Sequence, residues 1–203
     1  SLGFLIGFCL HAYATDSYSA KVIIAEHLAA AKSGNAHAQL VVGTLYANPL
    51  KNYVVAKKWL RLASKQGELK ADYNLGGILA NYGGSEKEKL EGFKLIENLA
   101  VLHDYKGAKS ELAYLYLHGI AVKKDYKKAY TWYMKAAKQY DVYAYYNLGL
   151  MYFHGYYVKK DVATGLKWIK KSANFGLVAA MMKLGDIYSQ GLFGIKANKE
   201  NTD

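Results

Sequence analysis

The sequence predicts an all-α fold, a solenoid of stacked antiparallel helix pairs, and three observations carry that expectation. A related stretch restarts at Ala38, Ala71, Ala108 and Ala144, with a final half unit from Ala180, at intervals of 33, 37, 36 and 36 residues. A fixed period in that range means stacked units rather than one globular core. Each copy carries two apolar patterns of helical period separated by a short loop. Only one proline, Pro49, interrupts 203 residues that are 52% hydrophobic, so long helices are unbroken.

Taken in order, the chain divides into residues 1–14, 15–37, 38–195 and 196–203. The apolar run Leu2 to Leu10 followed by His11-Ala12-Tyr13-Ala14 has the form of a signal peptide over residues 1–14, with cleavage after Ala14. That run is too short for a membrane span, which takes about 20 apolar residues, so no transmembrane segment is expected in the mature chain. The expected location is periplasmic or secreted. Cys9, the single cysteine, leaves with the leader, and the mature chain has no disulfide. Residues 15–37 read as a capping helix, Ser19 to Ser33, ended by Gly34.

The repeat array spans 38–195, and a polar tail fills 196–203. In the first helix of each unit, offsets 0, 4, 5, 7 and 8 from the starting alanine fall on one arc. Offset 5 is Gly43, Gly76, Gly149 and Gly185, with Ala113 in the third unit. Glycine inside a helix costs about 1 kcal/mol against alanine, so its recurrence predicts a close approach of two backbones. Gly119, Gly155 and Gly191 are placed to end first helices in a left-handed conformation. Ser19, Asn52, Asp125 and Asp161 are placed to cap the second helices, and Ser85-Glu86-Lys87-Glu88 supplies a capping box in the second unit. Trp59, Trp132 and Trp168, each with a small residue four positions on (Ala63, Ala136, Ser172), predict an interlock between neighbouring helices.

Two surfaces are candidates for binding. Offsets 3, 6 and 10 lie opposite the buried arc, and stacking aligns them along an inner wall. This stripe holds Asn74, Glu111, Asn147 and Lys183 at offset 3, and Asn81, His118 and His154 at offset 10, with Tyr73, Tyr114 and Tyr146 beside it. Asparagine amides present both a donor and an acceptor to an extended peptide backbone. Asn74 and Asn147 are expected to face solvent. The second surface is a basic ridge of Lys123, Lys124, Lys159 and Lys160, which repeat in the same loop.

Charge narrows the partner. The net charge of +11 comes from 26 lysines and one arginine, Arg61. Arginine is the residue for bidentate reading of bases, so a lysine surface points to general anion attraction, without specific nucleic-acid recognition. Between Ala108 and Lys183 stand thirteen lysines against four acids, a concentration suited to an acidic partner or an anionic envelope surface.

Catalytic chemistry has no signature here. The sequence contains no phosphate-cradling glycine loop after a strand, no Cys/His metal spacing, no HExxH and no GxSxG. His118 and His154 hold identical offsets one repeat apart, about 10 Å for adjacent helices, too far to share a zinc ion. They are expected to sit at helix ends, near exposed carbonyls. A non-enzymatic chain without metal or cofactor is the expectation.

The elements LGLMYFHG, VKKD and the tryptophan helix ending KKSANFG, with the copies LAYLYLHG and VKKDYKKAYTWYMKAA, resemble the Sel-1-like repeat family, short relatives of the tetratricopeptide repeat. The likeness covers about residues 19 to 195. It is weaker where Asn48-Pro49-Leu50 and Tyr82-Gly83-Gly84 replace the His-Gly loop. The resemblance implies a right-handed superhelix that serves as a scaffold for a protein or extended peptide, in bacterial envelope or host-contact settings. Cysteine-rich secreted members carry a disulfide in each repeat, which this chain lacks. The alternative is an envelope enzyme or enzyme accessory acting on peptidoglycan or a β-lactam-like ligand.

Overall fold

Side-chain oxygens supplied by the sequence start most of the helices. In the computed structural model, which describes residues 16–191, ten helices follow one another: α1 (Ser17–Lys32), α2 (Ala36–Ala47), α3 (Tyr53–Ser64), α4 (Leu69–Tyr82), α5 (Glu86–Val101), α6 (Lys106–His118), α7 (Tyr126–Lys138), α8 (Val142–His154), α9 (Val162–Asn174) and α10 (Val178–Gln190). The expected leader at 1–14, the expected tail at 196–203 and the end of the array past Gly191 lie outside the described residues. Asn52, Ser85, Asp125 and Asp161 cap α3, α5, α7 and α9 by accepting the N–H three residues on. Helix α1 differs from expectation. Its cap is Asp16, whose Oδ1 accepts the Ser19 N–H at 2.8 Å, so Ser19 lies inside the first turn.

Left-handed residues stop and turn the chain at repeating positions. Gly119, Gly155 and Gly191 end α6, α8 and α10 with φ of 71°, 72° and 64°. The turn four residues before each repeat start is also left-handed, at Gly34, Gly67, Asp104, Tyr140 and Gly176.

Each helix packs mainly on its sequence neighbours, and α2 with α4 and α4 with α6 also touch directly. The first helices of the repeats therefore form the inner wall of the stack, and the second helices its outer layer. Leu45, Leu60, Leu75, Ile78, Ile96, Leu112, Tyr133, Leu148 and Phe153 are buried in one apolar layer after another. On the outside, α3 and α5 are joined by Lys57–Glu88 at 2.7 Å and by Arg61–Glu91.

Gly43, Gly76 and Gly149 sit where the two helices of a pair cross, whereas a Cβ on Gly185 meets nothing within 4 Å among the described residues. A Cβ on Gly43 would stand 2.8 Å from Leu60 Cγ, on Gly76 3.0 Å from Ile96 Cδ1, and on Gly149 2.7 Å from Ile169 Cδ1. The second helices reciprocate with small residues, Ala56, Gly92, Ala129 and Gly165, all buried. Gly149 and Gly165 face one another: a Cβ on Gly149 would stand 2.9 Å from the Gly165 carbonyl oxygen, and one on Gly165 3.0 Å from the Gly149 carbonyl oxygen. Trp59, Trp132 and Trp168 are partly buried against the core, and the Lys135 ammonium covers Trp132 at 4.0 Å from the ring centroid.

Candidate partner-binding surface

The inner stripe is a seam rather than an open groove. Asn74 and Glu111 are fully buried, and Tyr73, Tyr146 and Asn147 are buried with them. Asn74 Nδ2 donates to Thr44 Oγ1 at 2.9 Å, tying α4 to α2. Asn81 Nδ2 donates to Glu111 Oε1 at 2.8 Å, tying α4 to α6. The solvent-facing reading of Asn74 and Asn147 is thus corrected, and with it a peptide contact through Tyr73, Asn74, Glu111, Tyr146 or Asn147. Successive first helices touch directly, α2 on α4 and α4 on α6, so polar side chains opposite the intra-repeat core meet the next repeat instead of water. Burial lifts the Glu111 carboxyl to about 7 by desolvation, partly opposed by the Asn81 hydrogen bond.

The rest of the stripe reaches the surface at one edge. Asn81, Tyr114, His118 and Lys183 are half-buried, and His154 is exposed. His118 and His154 close α6 and α8 as the sequence predicts. The Tyr114 and His118 rings lie 4.3 Å apart, and those of His154 and Tyr156 5.4 Å apart. Desolvation and then the charge of Lys124 hold the His118 imidazole below its ordinary range. His154 is lowered by desolvation and by Lys183 and Lys160. Ridge lysines and helix-end histidines therefore share one surface.

The ridge itself is built twice by the same loop. Asp125 N–H donates to the Tyr116 carbonyl at 2.9 Å, and Asp161 N–H to the Tyr152 carbonyl at 3.0 Å. A Cβ on Gly119 would meet Lys124 N at 3.1 Å, and one on Gly155 would meet Lys160 Cβ at 3.3 Å. The chain thus folds back tightly on its glycine and presents Lys123, Lys124, Lys159 and Lys160, all exposed. Between the loops the Tyr126 and Tyr156 rings stack at 4.8 Å and 10°. Tyr130 and Tyr152 hydroxyls meet at 3.1 Å, and Tyr157, left-handed at φ 66°, packs on Tyr130. This tyrosine bridge escaped sequence reasoning. Its only signal was the density of tyrosines around two VKKD copies.

The sequence profile described as the Sel1 repeat matches residues 36–68, 108–141, 142–175 and 178–201. The chain belongs to the Sel1 repeat family. It is similar to a Sel1 repeat protein from Oxalobacter formigenes, at 28% identity and a TM-score of 0.68 over 92% of this chain and 75% of that one. It is also similar, at 28% identity and a TM-score of 0.65 over 88% of its length, to a protective antigen of uropathogenic Escherichia coli displaying an SLR fold, of which it spans 38%. A Sel1 repeat protein from Klebsiella pneumoniae, at 23% identity and a TM-score of 0.61, covers 88% of both chains and shows the shared fold alone. No curated protein matches significantly.

Sel1 repeats generally act as protein-interaction scaffolds, and the family is typically non-catalytic. The profile passes over residues 69–107, where α4 and α5 nonetheless form a full Sel1-like pair. There Ser85 starts α5 and Glu88 accepts the Gly84 N–H at 2.8 Å, in place of the VKKD loop. Among the described residues no three His, Cys, Asp or Glu side chains converge to hold a metal ion, and no helix is long and apolar enough to cross a membrane.

Proposed function

We propose that this Sel1 repeat protein is an exported scaffold that holds an extended acidic segment of a partner protein along the loop edge of its third and fourth repeats. The observation that carries the reading is the duplicated lysine loop: two Lys-Lys pairs one repeat apart, fixed by the same glycine reversal and joined by the Tyr126–Tyr156 stack. The lysines meet carboxylates. The tyrosine faces supply rigid amphipathic area of the kind enriched at interfaces. Tyr114, His118, His154 and Lys183 extend the surface onto the rim of the inner wall, and both imidazoles are held low by desolvation first and by neighbouring lysines second, which adds donors and acceptors without further positive charge.

The test is affinity capture from the native organism with two proteins, the parent chain and Lys123→Glu/Lys124→Glu/Lys159→Glu/Lys160→Glu. All four side chains are exposed, so each substitution is expected to change stability by no more than about 0.5 kcal/mol. A partner retained by the parent is expected to bind the variant about tenfold or more weaker at low salt, with the difference shrinking as salt rises. Equal retention at all salt concentrations would move the site off this edge.

Export rests on Leu2 to Leu10 and Ala12-Tyr13-Ala14. Expressed with its full N-terminus in a Gram-negative host, the protein is expected in the periplasm with Thr15 as its first residue, read by N-terminal sequencing. An intact cytoplasmic product would remove the exported part of this proposal and leave the scaffold part standing.

A further inference from the structure

At the edge opposite the lysine loops, the turns that lead into α6 and α8 enclose a cavity of about 280 Å³. Tyr73, Tyr105, Tyr140 and Tyr143 line it, with Asp141 in the wall and Lys106 beside it. Gly107 opens the space: a Cβ there would stand 3.1 Å from Tyr73 Cζ and 3.4 Å from Tyr105 Cε1, filling the ground in front of two rings whose centroids are 5.2 Å apart. Asp141 is 5% exposed. Its Oδ1 accepts the Ala144 N–H at 2.8 Å, but among the described residues no lysine, arginine or histidine nitrogen lies within 4 Å of the carboxylate.

Tyr140 is the unusual member. It occupies the left-handed turn position that is glycine at Gly34, Gly67 and Gly176, at φ 59°, and the residue is 66% exposed. A tyrosine in that conformation is disfavoured relative to glycine, so this turn keeps a ring at the cavity mouth against its own backbone preference. The Asp104 turn one repeat earlier has no such ring.

We infer that this cavity binds a small zwitterion, its alkylated ammonium group among the tyrosine rings and toward Asp141 and its anionic group on Lys106. Electron-rich ring faces and a buried carboxylate both attract an organic cation. A strongly hydrated metal or bare ammonium ion would lose its water without matching oxygen ligands in return. The exposed Lys106 ammonium would repel a simple cation, and it becomes favourable when the ligand brings its own anion. Phosphocholine, free or as a lipid headgroup, carries both groups.

Calorimetric titration of the full chain with phosphocholine is expected to show millimolar or tighter binding. Neohexyl phosphate, in which a quaternary carbon replaces the quaternary nitrogen, is expected to bind about tenfold or more weaker. Tyr140→Gly restores the residue of the equivalent turns, and Asp141→Asn keeps a capping oxygen for the Ala144 N–H, so both variants fold. Each is expected to weaken phosphocholine about tenfold. Lys106→Ala is expected to weaken phosphocholine but not tetramethylammonium. Sedimentation with phosphatidylcholine vesicles separates the sources: binding to vesicles assigns the headgroup, and binding to phosphocholine alone assigns a free zwitterion. The inference is overturned if neither form of phosphocholine binds, if neohexyl phosphate binds equally well, or if Tyr140→Gly and Asp141→Asn leave the affinity unchanged.

Discussion

Gly149→Leu is expected to destabilise the protein by about 3 kcal/mol, at the upper end of what overpacking costs, while the same substitution at the same repeat offset in α10, Gly185→Leu, is expected to stabilise it by up to about 1 kcal/mol. At Gly149 even the first added carbon lies 2.7 Å from Ile169 Cδ1 and 2.9 Å from the Gly165 carbonyl oxygen. The isoleucine tip can rotate away. The carbonyl belongs to the α9 backbone and moves only with the helix, so α8 and α9 must separate. At Gly185 nothing among the described residues lies within 4 Å of the added carbon, so the helix-propensity gain is what the described structure leaves. Urea unfolding gives both magnitudes, and hydrogen exchange gives their reach. Loss of protection is expected to centre on α8 and α9 and to fade toward α1, because each repeat touches only its neighbours. Equal loss as far as Ser19 would show one cooperative core instead of a linear array.

That contrast marks what a sequence of this kind reveals. The recurrence of glycine at offset 5 pointed to a close approach because a helix has no other reason to bear its cost. It named one side of the crossing only. The small residues opposite, Ala56, Gly92, Ala129 and Gly165, recur fifteen or sixteen residues before the next start, and alanine at two of them hid the pattern among ordinary helix formers. Caps were legible wherever one polar residue stood before an apolar run, as at Asn52, Ser85, Asp125 and Asp161. At α1 two candidates, Asp16 and Ser19, lie one turn apart. Local sequence does not choose between them; in the structure Asp16 accepts from both the Ser19 N–H and its hydroxyl.

The inner stripe was misread for a different reason. A helical wheel gives the direction in which Asn74, Glu111 and Asn147 point, but whether water or the next helix lies there depends on curvature, which accumulates from packing volumes over several repeats. One clue was present in the residue types. Offsets 3, 6 and 10 bring Asn74 to Thr44 and Glu111 to Asn81, each a complementary donor and acceptor pair, as a buried seam requires. The ridge was legible because charge on a loop next to a glycine reversal has nowhere to go but outward. The tyrosine bridge beneath it and the tyrosine cavity on the far edge join turns from successive repeats, and no periodicity within one repeat encodes them.

Glu111→Gln is expected to flatten the pH dependence of stability and to make the protein more stable than its parent by up to about 3 kcal/mol at about pH 8. The folded chain raises the Glu111 carboxyl from its ordinary 4.5 to about 7, because burial removes water from the charged form and the Asn81 amide only partly replaces it. Oε2 has no hydrogen-bond partner among the described residues, and the Tyr114 and Tyr133 hydroxyls nearby offer no positive charge. A folded pKa above the unfolded one means stability that is fully present below 4.5, falls by about 1.4 kcal/mol per pH unit between there and 7, and is gone above it. Glutamine keeps the oxygen that accepts from Asn81 Nδ2 and cannot ionise. Its amide nitrogen leaves an unpaired donor where the protonated acid leaves an unpaired hydroxyl, so variant and parent converge near pH 4. Glu88, Asp104 and Asp161, whose carboxyls are held low by hydrogen bonds to Lys57, Lys109 and Thr164 respectively, impose the opposite slope. They do so equally in both proteins and cancel in the difference. Urea midpoints measured across that range decide the matter: curves that run parallel from acid to alkaline pH would mean that the α4–α6 seam accommodates a charged Glu111, and that its burial costs the stack nothing.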